Sequence, residues 1–280
     1  MYKIFDLQKL FLDKLTSLYH PNEIKSLLKL LLEFYYKEKI TDLISKNLTI
    51  NKVHYDKITQ HLETLEKGCP IHHIIGTKEF YNCSFFVNNK VLIPRGETEE
   101  LVQWVLESAR DDQKVLDLCT GSGCIAISLA KHKNCKLFAI DISDEALKIA
   151  RRNSKENNVM VNFYRKDVLK DDFSFLEKVN IIVSNPPYVL NSQKKYIKKN
   201  VLNFEPHLAL FVDDSNPLIF YEKILTIAKN KLIKNGFIFF EINELFEKEI
   251  NQLILEKGFK NIYIKKDIHG KSRLVKAQLL

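Results

Sequence analysis

With 280 residues, 43 basic against 35 acidic side chains and a formal charge of +8, the chain is long enough for one large domain or for a catalytic domain with a smaller attachment. Its five cysteines, Cys69, Cys83, Cys119, Cys124 and Cys135, are odd in number and form no paired C-x-x-C, which argues against a disulfide framework and against a cysteine zinc site. Charges interrupt the apolar residues of MYKIFDLQKLFLDKL and no run approaches the ~18 apolar residues of a spanning helix, so neither a secretory leader nor a membrane span is expected, and the chain reads as cytoplasmic.

From the start to Cys69, apolar residues recur at helical spacing: Leu7, Leu10, Phe11 and Leu15, then Ile24, Leu27, Leu28, Leu31 and Leu32, then Tyr55, Ile58, Leu62 and Leu65. These stripes predict a small helical bundle over residues 1–72, with the leucines as its core. Between Gly76 and Ile93 the composition changes to short aromatic and β-branched runs (KEFYNCSFFVNNKVLI), predicting a β-hairpin linker over 73–93 with its turn at Asn88-Asn89. From residue 94 to 280, short strand-like runs alternate with helical patterns. KVLDL precedes GCIAISLAKH, KLFAID precedes SDEALKIARRNSKENN, and NFYRKD and VNIIVSNPP follow. LIFYEKILTIAKNKLIKN then leads into GFIFFEIN, and FEKEINQLILEKG into NIYIKK and RLVKAQLL, whose final LL leaves no room for a tail. Strands joined by helices of this length require right-handed crossovers, hence a doubly wound, mostly parallel α/β sheet covered on both faces.

The first strand of that domain ends in Asp117-Leu118-Cys119-Thr120-Gly121-Ser122-Gly123, and a helix opens at Cys124, where such a sheet holds its ligand loop. Glycine permits positive φ and close approach of a ligand to the backbone, and a helix start offers unpaired N–H groups; a tight strand-to-helix turn asks for the same residues. About twenty residues on, Asp141 ends the second strand, where a carboxylate can accept from both hydroxyls of a ribose. The loop lacks the G-x-G-x-x-G spacing that serves a pyrophosphate, which favours S-adenosylmethionine over a dinucleotide. Asp167, at the end of the third strand, falls where an acceptor for the adenine amino group would sit, and Val168 beside it could pack on the ring.

The fourth strand runs into Asn185-Pro186-Pro187-Tyr188. Two prolines stiffen this turn, since each ring fixes φ and restricts the residue before it. An amide or aniline-like nitrogen is a poor nucleophile because its lone pair is delocalised, so a catalyst must hold its two hydrogens while the methyl arrives. The Asn185 side-chain oxygen and the Pro186 carbonyl supply two acceptors on a rigid corner, with Tyr188 against the planar target. No general base is required. Adenine N6, cytosine N4 and glutamine N5 all fit such a corner, and an adenine N6 methyltransferase acting on DNA or RNA stands as the alternative to a protein glutamine enzyme.

Several segments together, PIHHIIGTKEFY, VLIPRGETEELV, DLCTGSGCIAISLA, VSNPPYV, FEPHLALF and DIHGKSRLVKA in this order, resemble the HemK family of release-factor glutamine N5-methyltransferases over nearly the whole chain. The resemblance implies a class I S-adenosylmethionine-dependent methyltransferase domain with a Rossmann-like seven-strand sheet, preceded by a helical domain that helps recognise a class I peptide chain release factor. It implies methylation of the glutamine in that partner's Gly-Gly-Gln tip, with no membrane and no direct nucleic-acid substrate. Carried over by position, the cofactor loop is Cys119, Thr120, Gly121, Ser122 and Gly123, the ribose acid is Asp141, the adenine contacts are Asp167 and Val168, and the glutamine-binding turn is Asn185 to Tyr188, with Asn185 also beside the cofactor. Two residues depart from the family pattern: Cys119 replaces a glycine and Gly96 a proline. Arg95, Glu97 and Glu99 are candidates for bracing the pocket or for capping a helix. The +8 balance is read as a lysine-rich composition rather than as a nucleic-acid face.

Overall fold

Apolar residues three and four apart build the first helices in the computed structural model, which describes residues 2–46 and 48–280. The start of the expected helical domain, Met1, and its Asn47 lie outside the described residues. The elements follow as β1 (Tyr2–Lys3), α1 (Ile4–Leu15), α2 (Pro21–Tyr36), α3 (Ile40–Ser45), β2 (Thr49–Ile50), α4 (Lys52–Glu66) and α5 (Ile71–Ile75), with β1 and β2 paired antiparallel. Leu7, Phe11 and Leu15 of α1, Ile24, Leu27, Leu28, Leu31 and Leu32 of α2, and Ile58, Leu62 and Leu65 of α4 are buried in one core, while Leu10 and Tyr55 sit at its edge. Full burial of such a side chain contributes about 1.5–3 kcal/mol, which explains why stripes of modest helix formers become stable helices together. Helix starts are capped: the Asn51 carboxamide oxygen accepts from the His54 N–H at 2.8 Å, and Pro21 takes the first position of α2.

Residues Met1–Gly76 and Lys198–Phe204 form one compact unit; Thr77–Ile197 and Glu205–Leu280 form a second. The second begins with the hairpin β3 (Thr77–Phe80) and β4 (Cys83–Phe86), so residues 77–93 of the segment expected as a linker belong to this unit, residues 73–76 falling in the first, and Phe80, Phe85 and Val87 lie in its core. The turn of the hairpin is Tyr81-Asn82, at φ 45° and 57°, and not Asn88-Asn89. Two positive-φ residues between paired strands make a type I′ turn; Asn82 tolerates this, and Tyr81 is held there by its N–H donating to Glu99 Oε1 at 3.1 Å and its hydroxyl donating to Gln103. Asn88 instead forms a later turn, accepting from the Lys90 N–H at 2.9 Å.

The chain continues through α6 (Gly96–Ser108), β5 (Lys114–Leu118), α7 (Cys124–His132), β6 (Lys136–Asp141), α8 (Asp144–Glu156), β7 (Val161–Arg165), β8 (Val179–Ser184) and β9 (Val189–Leu190). It ends with α9 (Lys199–Phe204), β10 (Phe211–Val212), α10 (Ile219–Lys231), β11 (Leu232–Glu241), α11 (Glu247–Glu256), β12 (Phe259–Lys266) and β13 (Ser272–Leu279). Seven strands form one sheet in the order β12-β13-β11-β8-β5-β6-β7, parallel throughout except for β13, which pairs antiparallel with both neighbours. Alternation within strands feeds two cores. Val115, Ile181, Val183 and Phe239 meet α6, α7 and α8 on one face; Leu116, Leu118, Ile182, Ile238 and Phe240 meet α10 and α11 on the other. This is the expected doubly wound, Rossmann-like sheet. Two boundaries differ. The third strand stops at Arg165, where pairing with Asp141 ends, so Asp167 lies two residues into the following loop. The helix expected up to Asn235 stops at Lys231, because Leu232 already pairs with Val179 of β8.

Candidate active site

Strand order reverses at β5, which has β6 on one side and β8 on the other. Carboxyl ends of strands at such a point leave a crevice between diverging connections. A cavity of about 340 Å³ opens there, within the range of small-molecule sites. Cys119, Thr120, Gly121 and Ser122 of the β5 loop line it, as do Asp141, Asp167, Val168, Asn185 and Pro187. Gly123, Pro186 and Tyr188, also expected at the site, do not.

The β5 loop is shaped by its neighbours. Cys119, Gly121 and Gly123 have φ of 64°, 55° and 82°. A Cβ on Gly123 would lie 2.8 Å from Ile127 Cδ1 and 3.2 Å from the Ala150 Cβ, so glycine there lets α7 approach α8. A Cβ on Gly121 would meet nothing within 4 Å, which leaves that backbone open to a ligand. Asp141 grips the loop: its Oδ2 accepts from the Gly121 N–H at 2.8 Å and its Oδ1 from the Ser143 N–H at 2.9 Å. Burial raises the Asp141 carboxyl above the usual carboxylate range, opposed by these two N–H groups. Asp117 ends buried beneath the loop and accepts from the Thr120 hydroxyl at 2.5 Å; burial pushes it up to about 7. Burial, then the Asp141 and Asp117 carboxylates, raise the Cys119 thiol well above its ordinary value, so it stays protonated. Asn153 of α8, which no local pattern singled out, donates to the Ser122 carbonyl at 2.9 Å and the Phe86 carbonyl at 3.1 Å, joining loop to hairpin.

On the opposite wall, Asp167 holds its own turn, with Oδ1 accepting from the Leu169 N–H at 2.9 Å. Pro206, Leu208, Ala209 and Phe220 make that side apolar. The FEPHLALF segment is tied to the domain entrance by buried Glu205, which accepts from Arg95 Nη2 at 2.6 Å and from the Ile93 N–H at 3.1 Å. Arg95 therefore braces the pocket, Glu99 braces the hairpin turn, and Glu97 lies 4.0 Å from His269 Nε2.

The Asn185 turn is anchored at four points. Ser184 Oγ donates to the Leu118 carbonyl at 2.6 Å, and Asn185 Nδ2 donates to Thr98 Oγ1 at 3.3 Å. The Tyr188 hydroxyl donates to Glu241 Oε1 at 2.8 Å, and Asn243 Nδ2 donates to the Tyr188 carbonyl at 3.1 Å. Tyr188 packs against the core cluster that contains Tyr221 and Phe240. Thr98 and Glu241 escaped the sequence reading. The signal for Glu241 was an acid ending the apolar run Phe237-Ile238-Phe239-Phe240; Thr98, inside a charged helix start, had none.

The cavity suits an adenosyl ligand carrying a short polar chain. It is mostly apolar, has one carboxylate at a strand end and another in the loop after the next strand, and presents an open glycine backbone. Among the described residues no group of three or more His, Cys, Asp or Glu is placed to hold a metal ion, and no helix is long and apolar enough to cross a membrane.

Residues 97–205 match the family model described as methyltransferase small domain. The chain is 43% identical over 273 residues to a release factor glutamine methyltransferase of Flavobacterium psychrophilum, covering 95% of each. It is 38% identical over 267 residues to a protein of the same name from Bacteroides thetaiotaomicron, covering 95% of this chain and 96% of that one. A solved methyltransferase from Pyrococcus furiosus shares the fold, with a TM-score of 0.53 at 16% identity over 81% of this chain and 98% of that one. Relatives of similar sequence lend no support to the adenine alternative.

Proposed function

This chain belongs to the release factor glutamine methyltransferase family, and from that membership we propose that it transfers a methyl group from S-adenosylmethionine to the side-chain amide nitrogen of the glutamine in the Gly-Gly-Gln tip of a class I peptide release factor. The observation that supports the reading is the orientation of Asn185 at the carboxyl end of β8: its Nδ2 donates a hydrogen to Thr98, which turns its Oδ1 away from Thr98 on a residue that lines the cavity.

The bound cofactor supplies an electrophilic methyl group. The protein's own part is to bring a delocalised carboxamide nitrogen up to it. Asn185 Oδ1 accepts one hydrogen of the target NH2 and the carbonyl of Pro186, the next residue of the same turn though not of the cavity wall, accepts the other, holding the nitrogen's lone pair toward the methyl and favouring pyramidalisation as the bond forms. Two acceptors also select a group with two hydrogens. A diproline corner needs no reorganisation during the reaction, which is where preorganised dipoles do most for rate. The methylated nitrogen is acidic and releases its proton to water or a neighbouring group. Asp141 serves the ribose with lone pairs its backbone partners leave free, Asp167 the adenine amino group and Val168 the ring face. The helical segment 1–72 is assigned to recognition of the release factor.

Incubating enzyme, S-adenosylmethionine and a class I release factor, and locating the added methyl by peptide mass spectrometry, tests the reading. One methyl on the Gly-Gly-Gln glutamine is expected; label appearing only in DNA or RNA offered in parallel would overturn it.

A further inference from the structure

Asn-Pro-Pro-Tyr makes a backbone rigid but leaves the Asn185 side-chain amide free to turn by 180° about its last torsion. One orientation offers the substrate an acceptor and the other a donor; only the first can take a hydrogen from a target NH2. We propose that Thr98 and Glu241 are positioning residues that select the acceptor-forward orientation of Asn185. The inference rests on the methyl acceptor being a planar NH2 group, as in the function proposed above.

Glu241 ends β11 as a buried acid. Its Oε2 accepts from the Thr98 hydroxyl at 2.6 Å and its Oε1 from the Tyr188 hydroxyl at 2.8 Å. Burial raises the Glu241 carboxyl above its ordinary value, opposed by the two hydroxyls and by the nearby Arg273 guanidinium; in its ionised form it has no hydrogen to give, so both hydroxyl hydrogens are committed to it. Thr98 Oγ1 then has only lone pairs left for Asn185, 3.3 Å away, and the amide must turn its nitrogen to Thr98. The reversed amide would set two acceptor oxygens against each other at Thr98 and point a donor at the donors of the substrate. Charge at Glu241 thus fixes the polarity of Asn185 through one intervening hydroxyl. The same carboxylate, through Tyr188, holds the other end of the turn. Thr98 itself lines the cavity beside Asn185, so the relay lies at the wall of the site.

The test uses the full-length enzyme, S-adenosylmethionine and a class I release factor. Thr98→Val, close in shape but without the hydroxyl, should lower kcat roughly 10- to 100-fold while KM for the release factor and the affinity for S-adenosylmethionine stay within about threefold. Thr98→Ser, which keeps the hydroxyl, should restore most of that loss. Glu241→Leu, which removes the acceptor of the Thr98 hydroxyl and frees that hydroxyl to donate to Asn185, should lower kcat in the same way. In an Asn185→Ala background, followed by single-turnover transfer of labelled methyl, Thr98→Val should cost nothing more, since the group it orients is gone. A Thr98→Val enzyme with kcat within twofold of the parent, or one whose loss simply multiplies with that of Asn185→Ala, overturns the proposal. A parent enzyme inert toward the release factor but active on another NH2 acceptor overturns the substrate assignment instead, and the same variants are then read on that acceptor with the same two outcomes.

Discussion

Asn185 and Asp141 line the same cavity but act on different partners, and this sets a division of labour that kinetics can read. Asn185→Ala should lower turnover by roughly 10²–10³ with cofactor affinity little changed, the cost of losing one preorganised partner. Asp141→Ala should weaken S-adenosylmethionine by about 1.5–3 kcal/mol, because it removes a charged acceptor and also frees the Gly121 and Ser143 N–H groups. Calorimetry with the cofactor beside single-turnover rates checks both; a large affinity loss in the Asn185 variant would contradict the split. Asp117 carries a pH signature. Its carboxyl is raised from 3.8 to about 7 in the folded protein, so as pH climbs through that window the unfolded chain releases a proton that the native state retains. Stability is therefore greatest below the lower value, falls as pH rises through the window, and is level above it, a change on the order of 4 kcal/mol for this group. Urea unfolding at pH 5 and pH 8 should show a larger drop for the parent than for Asp117→Asn. That Asp141 and Asn185 would line one cavity was readable from type and place, since strand ends of a doubly wound sheet meet at its switch point. Their hydrogen-bond partners were not.

The helix α6 shows how a family departure acts. Gly96 is its first residue, where the family pattern has proline, and a Cβ there would meet nothing within 4 Å. Arg95 before it is already extended at φ −101° and ψ 148°, the region a following proline demands. Gly96→Pro should therefore stabilise the protein by about 0.4–1 kcal/mol by restricting the unfolded chain, measured as an upward shift in Tm with turnover retained. Cys119 is the opposite kind of departure: at φ 64° it occupies a conformation that glycine adopts without strain. Element type was legible wherever periodicity was long, as in α1, α2 and α8, and in the short, almost wholly buried apolar runs of β5 and β8. Boundaries were less so. Asp167 fell outside its strand because pairing with β6 ends at Asp141, and the hairpin turned at Tyr81-Asn82 because α6 supplies Glu99 and Gln103 to hold a tyrosine at positive φ. Each of these choices was made by a neighbouring element.

At the level of the molecule, all cavity-lining residues belong to the second unit. S-adenosylmethionine at 100 times its dissociation constant should add about 2.7 kcal/mol of stability, with hydrogen-exchange protection gained in residues 119–123, 141–143 and 166–170. A release factor added without cofactor should instead protect amides within residues 2–76; protection confined to the second unit would count against a recognition role for the helical segment. By itself the sequence determined what is local and periodic: helices from residues three and four apart, strands from short apolar runs between helical patterns, the doubly wound sheet from their succession, and the candidate ligand loop from its place after the first strand of that sheet. Tertiary structure alone decided that Thr98 meets Asn185 across 87 positions and Glu241 across 143. Hydrophobic patterning specifies which face of an element is buried, but it carries no information about which distant polar side chains the strand order will bring within hydrogen-bonding distance, and the orientation of the candidate catalytic amide depends on that meeting.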